Sequence, residues 1–186
     1  SVLSFDIEAT SLNPKDGQVL IISNTFKHKD TVIRKMFTYD EYGNEVAMIK
    51  AWANWVRTMD PSIICGHNIF GYDLPYLNAK TRLQLGRDGS NVYFPKYMSK
   101  FRRDASQFYE YSNAQVVGRE FVDTFYLSFK YDVGRKYPSY SLKEIIAYEG
   151  LEVENRQHYD ASKIRDNYKN PEEWEKIKQY AYHDAD

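Results

Sequence analysis

Asp6 and Glu8 stand two residues apart, just behind Val2-Leu3-Ser4-Phe5, a stretch that reads as a strand. Residues i and i+2 of a strand point to the same face. Two carboxylates aimed side by side repel, so at least one must take up a proton or find a cation. A divalent metal resolves that conflict, although two solvated acids on an edge strand share the same spacing. Acids of interest recur at two other places. Asp73 lies in Gly66-His67-Asn68-Ile69-Phe70-Gly71-Tyr72-Asp73-Leu74-Pro75, at a helix start, where it could also be a plain N-cap. Asp184 continues the apolar stripe Trp174, Ile177 and Ala181 of a final helix, with Tyr180 one turn earlier. A charge seldom enters an interior without a partner. His183 falls on a different face from Asp184 and reads as rim.

The elements that must position these groups follow from periodicity and breakers. Ser11 to Gly17 is a turn, Gln18 to Phe26 a central strand, and Thr31 to Thr38 a third strand of a meander. Gly43-Asn44 opens a helix whose stripe is Val46, Ile49, Trp52, Ala53, Val56 and Met59, and Asp60-Pro61 ends it. Ser62 to Cys65 is a short buried strand, and Tyr72 to Leu85 reads as a helix. Arg119 to Asp123 is a further strand, leading into a helix over Thr124 to Tyr131. Ser139 or Ser141 caps a helix that ends near Gly150, and Pro171 starts the last one. Strand, loop and helix in this order imply a layered α/β sheet.

Arg87 to Gly118 is the least periodic part and reads as an insertion with a hairpin. It mixes Lys96, Lys100, Arg102 and Arg103 with Tyr93, Phe94, Tyr97, Phe101, Phe108, Tyr109 and Tyr111. Such interleaving suits single-stranded nucleic acid, or equally a loop pinned by its aromatic rings.

The 186 residues suit one domain with a substantial core. A single Cys65 excludes an internal disulfide framework. No apolar run reaches membrane-spanning length and no signal peptide opens the chain, so neither membrane insertion nor secretion is expected. The net charge of −1 argues against bulk attraction to nucleic acid but leaves room for a local basic track.

Taken together, Phe5-Asp6-Ile7-Glu8-Ala9-Thr10, the Asn68 to Asp73 segment and Tyr180-Ala181-Tyr182-His183-Asp184-Ala185-Asp186 resemble the three ordered motifs of the DEDD family of 3′–5′ exonucleases. They look most like the proofreading domain of family B DNA polymerases. Gly118 to Asp123 and Tyr140-Ser141-Leu142 resemble that family's linking segments. The resemblance implies an RNase H-like α/β fold, a central mixed sheet flanked by helices, with four acids converging on two divalent ions, Mg²⁺ or Mn²⁺. Asp6, Glu8 and Asp184 would hold the ion beside the attacking water. Asp6 would bridge to the second, and Asp73 would complete the cluster, partly through water.

The family's other branch has a His at the position of Gln179, so the resemblance is to the tyrosine branch, with Tyr180 orienting the water. It also implies that Asn68 and Tyr72 contact the single-stranded 3′ end, with Thr10 and Leu12 as further candidates. Asp123 is expected to be structural, and Lys143 is a further candidate for catalysis. Residues 1–186 are then expected to be one exonuclease domain of a longer chain whose polymerase domain is its partner. Its setting would be the cytoplasm of a bacterial, archaeal or phage-infected cell, or a nucleus. The alternatives left open are a free-standing nuclease acting on RNA and a non-catalytic nucleic-acid-binding domain of the same fold.

Overall fold

The opening strand runs beyond its apolar start. The computed structural model describes residues 1–96, 99–102, 108–151 and 158–186, and in it β1 covers Val2–Ala9. Its full-length antiparallel partner explains the extension. β2 (Val19–His28) pairs it from Val2↔Lys27 to Ala9↔Val19, so Asp6 and Glu8 sit inside the ladder rather than beyond it. β3 (Thr31–Thr38) completes the meander. β4 (Ile63–Gly66) lies on the other side of β1, in parallel. β5 (Ser99–Arg102) and β6 (Phe108–Tyr111) form the expected hairpin as a separate ladder. β7 (Glu120–Asp123) closes the main sheet beside β4, giving the mixed order β3-β2-β1-β4-β7.

Alternation along β1 sends Leu3, Phe5 and Ile7 to one face, where a short helix α1 (Tyr39–Tyr42) and the long α2 (Glu45–Met59) cover them. The Asn44 side chain caps α2, accepting from Ala47 at 2.8 Å. Met48, Ile49, Trp52, Ala53 and Val56 are buried along it, while Val46 and Met59 fall at the margin. Phe5 meets Trp52 with ring centroids 5.0 Å apart, and the indole N–H donates to Asn24 Oδ1 at 2.8 Å. Each large apolar side chain buried here contributes about 1.5–3 kcal/mol before entropy is counted.

The opposite face carries a smaller core. Leu20 and Ile21 of β2 pack there against Ile164, Trp174, Ile177 and Ala181. Two successive strand residues can share a face because the register steps from Glu8↔Ile21 to Ala9↔Val19, leaving Leu20 as the extra residue of a β-bulge.

The expected helix over Tyr72 to Leu85 is corrected. A π-helical turn spans Ile69–Asp73, α3 covers Leu74–Lys80, and Thr81 is already extended. Leu83 and Leu85 are fully buried from the irregular segment after α3, so the core takes them up without a helix. α4 (Thr124–Tyr131) and α5 (Leu142–Glu149) match expectation, and Ser141 rather than Ser139 caps α5. α6 (Ile164–Asn167) follows a 3₁₀ turn where the sequence offered few signals, and α7 (Pro171–Tyr182) is capped by Asn170. The side chains of residues 97–109, the centre of the basic and aromatic mixture, lie outside the described residues. Tyr111 is inside, and stacks on Tyr126 and Phe70 at 3.9 and 5.9 Å as core rather than as an open platform.

Candidate active site

Glu8 and Asp6 occupy the face of β1 opposite Phe5 and Ile7, the face on which α7 packs. α7 ends at Tyr182, and Asp184 lies in the turn just after it rather than on the helix, its amide donating to the Ala181 carbonyl at 3.2 Å. The turn still brings it to the strand. Carboxylate oxygens of Asp6, Glu8 and Asp184 all lie within 4.8 Å of one another. Burial, followed by the charges of Asp73, Glu8 and Asp184, pushes the Asp6 carboxyl well above its ordinary range. Burial, then Asp184, does the same to Glu8. Without a cation this cluster must hold protons.

Asp73 stands outside that close trio but is tied to it. Its carboxylate Oδ2 accepts the Ile7 N–H at 3.1 Å, and the side chain is 1% exposed. It makes no cap to its own helix, so the N-cap reading is set aside. Burial raises its pKa as well. The π-helical turn that delivers it is bounded by Asn68 in the left-handed region (φ 62°) and closed by the Leu74 N–H to the Ile69 carbonyl. Gly71 leaves room there for the Asn68 side chain, since a Cβ would sit 2.5 Å from Asn68 Oδ1 and push it aside.

Asp123 organises this turn from β7, in keeping with its structural assignment. Its two oxygens accept from Asn68 N (2.8 Å) and Phe70 N (2.9 Å), and Oδ1 also accepts from Phe125 N (2.9 Å) at the head of α4. Burial raises its pKa and these amides pull it back. His67, which the sequence reading passed over, bridges the same region. One ring nitrogen meets Thr124 Oγ1 at 3.0 Å and the other the Tyr140 carbonyl at 2.8 Å, and burial pushes its pKa down. A half-buried His inside a motif was the available signal.

Tyr180 is half-buried, and burial, then the charges of Asp184, Glu8 and Asp6, drive its hydroxyl pKa upward; Asp184 also accepts its hydrogen bond. Tyr72 is also raised, by burial, Tyr76 and the acids, and its ring stands edge-on to Tyr76 at 5.3 Å. Thr10 Oγ1 accepts the Gln18 N–H at 2.9 Å, whereas Leu12 is 85% exposed. Lys143 is exposed on α5, and His183 is partly exposed, with Nδ1 3.3 Å from Asp186.

A cleft of about 390 Å³ leads to the acids, lined by Ser4, Asp6, Cys65, His67, Thr124 and Asp184 among others. A larger groove of about 750 Å³, between α2 and residues 81–91, holds no acid and lies away from this chemistry. The Asp6, Glu8 and Asp184 cluster offers only hard carboxylate oxygens, which fits Mg²⁺ or Mn²⁺ better than soft metals. Among the described residues no helix is long and apolar enough to cross a membrane.

Residues 1–145 match the family model described as DNA polymerase family B, exonuclease domain. A DNA polymerase of Thermococcus litoralis is 28% identical over 200 residues, covering 99% of this chain and 11% of the relative. One from Archaeoglobus fulgidus is 31% identical over 102 residues, covering 50% and 12%. The DNA polymerase delta catalytic subunit of Schizosaccharomyces pombe is 28% identical over 96 residues, covering 41% and 9%. The chain thus spans about a tenth of the curated relatives it matches. The family B DNA polymerase from the archaeon Pyrobaculum calidifontis superposes with a TM-score of 0.76 at 22% identity, covering 99% of this chain and 23% of that one. The fold is the RNase H-like one.

Proposed function

Because the chain belongs to the exonuclease-domain family of family B DNA polymerases, we propose that it hydrolyses single-stranded DNA from the 3′ end, as the metal-dependent editing module of a longer polymerase chain. The observation that carries this reading is the convergence of Asp6, Glu8 and Asp184 within 4.8 Å, with Asp73 fastened beside them. Divalent ions, when bound, supply water activation and neutralise charge on the phosphodiester. Asp6, Glu8 and Asp184 would hold such an ion, and Asp73, fastened beside them, would add a further acid to the cluster.

Tyr180 positions rather than deprotonates. Its hydroxyl stays protonated well past neutral pH, and it spends that proton on Asp184. Toward the cleft it therefore offers lone pairs. A water donating to them is turned with its own lone pair toward the phosphorus. Asn68 and Tyr72, on the turn braced by Asp123, hold the terminal nucleotides, with Thr10 and Leu12 as further contacts. The work is done wherever the parent polymerase copies DNA.

The Asp6→Ala/Glu8→Ala double variant tests the reading against a labelled single-stranded oligonucleotide in Mg²⁺. Release of nucleotides from the 3′ end should vanish; undiminished release sinks the assignment. DNA and RNA oligomers of one sequence, compared side by side, separate the DNA reading from an RNA one.

A further inference from the structure

The loop between β1 and β2 is gripped from outside, by groups that none of the motif chemistry uses. Tyr76 of α3 donates its hydroxyl to the Ser11 carbonyl at 2.8 Å. Lys80, one turn later, donates to the Gly17 carbonyl at 2.5 Å and pairs with Glu45 of α2 at 3.2 Å. Glu45 in turn accepts the Val19 N–H at 2.7 Å, where the loop re-enters the sheet. Lys80 also stands over the Tyr76 ring, 5.9 Å from its centroid. Burial, then Glu45, pushes the Tyr76 hydroxyl up to about 12, so it remains a donor. Both Lys80 and Glu45 are mostly buried, with side-chain exposures of 14% and 20%.

Gly17 is fitted to this grip. A Cβ there would lie 2.1 Å from the Tyr76 hydroxyl oxygen, so only glycine lets the loop reach it. A charge-assisted bond to a loop carbonyl is stronger than a neutral one, and a buried lysine without an acid would be costly. The loop is held at both ends, while Leu12 between them remains 85% exposed. The same Tyr76 ring supports Tyr72, whose pKa feels Asp73, Glu8 and Asp6. Tyr76 therefore joins the loop to the turn that carries Tyr72 and Asp73.

We infer that Tyr76, Lys80 and Glu45 are positioning residues that set the height of the Ser11–Gly17 loop over the acids, and thereby the grip on the last nucleotide of a single-stranded end. The inference rests on the nuclease reading for its substrate. It assigns the brace to binding of the strand and not to the ion or the attacking water.

Lys80→Met, Tyr76→Phe and Gly17→Ala attack the brace from three sides, and Lys80→Arg keeps the charge. The probe is a fluorescent single-stranded DNA, its Kd read by anisotropy in EDTA, with Mn²⁺ binding measured by calorimetry and nucleolysis in Mg²⁺ measured separately. Loss of one tether should raise Kd, and KM with it, about fivefold. The Mn²⁺ constant and kcat should stay within about twofold, and Lys80→Arg should bind as wild type. An unchanged Kd in all three variants overturns the inference. So does a loss of Mn²⁺ affinity and kcat in step with Kd, which is what general loosening of the fold produces. A wild-type chain that binds the strand but releases no nucleotide defeats the nuclease reading instead, and the Kd comparison still decides the brace.

Discussion

Ile7 donates its backbone N–H to Asp73 Oδ2 at 3.1 Å, fastening the acid of the π-helical turn to the strand residue between Asp6 and Glu8. β1 pairs with β4 only as far as Ser4↔Cys65, so beyond that point the carboxylate takes the place of a missing strand. Asp73→Asn keeps an acceptor for the amide; Asp73→Ala leaves it orphaned. In urea unfolding without metal, the Ala variant should be about 1–3 kcal/mol less stable than the Asn variant. Both should lose nuclease activity. Equal stabilities would show that the bond carries nothing.

The raised acids set a pH dependence with a definite sign. Asp6, Glu8 and Asp73 keep protons in the folded chain that they release when unfolded. Folded metal-free protein binds more protons, so its stability falls as pH rises from the ordinary carboxylate range through the raised pKa values. His67, lowered by burial, acts the other way only as pH falls below about 6.5. In EDTA, Tm should therefore decline as pH rises beyond the ordinary carboxylate range, and saturating Mg²⁺ should flatten the decline. A flat profile in EDTA contradicts the crowding of these groups.

Asp123→Ala strips the acceptor from Asn68, Phe70 and Phe125 at once. The expected cost is about 3 kcal/mol, from a lost cap and buried amides without partners. Hydrogen exchange should quicken first at the Asn68 and Phe70 amides, and nuclease activity should fall although no acid of the cluster has been changed. Slow exchange there in the variant would remove Asp123 from its organising role.

Tyr180→Phe removes a hydroxyl and no ligand. Mn²⁺ should still bind, while kcat for nucleotide release should drop by about 10- to 100-fold, the range for losing a hydrogen-bond partner of a metal-site ligand. Since burial and the acids hold the phenol protonated, wild type should show no pH limb near neutrality that the Phe variant lacks. A Tyr180-dependent limb near neutral pH would mean it acts as a base.

Much of the site was readable because it follows local rules. A spacing of two in a strand puts Asp6 beside Glu8, and a spacing of four across the end of α7 puts Tyr180 beside Asp184. A layered α/β sheet was readable from the order of apolar runs, and its RNase H-like form from the resemblance of the three motifs. What escaped depends on tertiary partners. The true length of β1 is set by β2, and the π-helical turn by a hydrogen bond five residues back, which leaves no mark in apolar periodicity. Leu83 and Leu85 fit either helix or extended chain until the core chooses. His67 and the Tyr76–Lys80–Glu45 brace join residues far apart in the chain, and no spacing rule reaches that far.

The two cores of unequal size bear on how the nuclease fails. Asp6 and Glu8 sit on β1, whose other face is sunk in the large core, but Tyr180 rides on α7 and Asp184 just after it. α7 is seated on the small core of Leu20, Ile21, Ile164, Trp174, Ile177 and Ala181, with Met36, Tyr39, Tyr159 and Tyr168 at its edge. The reaction centre is thus a seam between a sturdy half and a lightly fastened one. Warming should open the seam before it melts the sheet, silencing cleavage at temperatures where the molecule still looks folded.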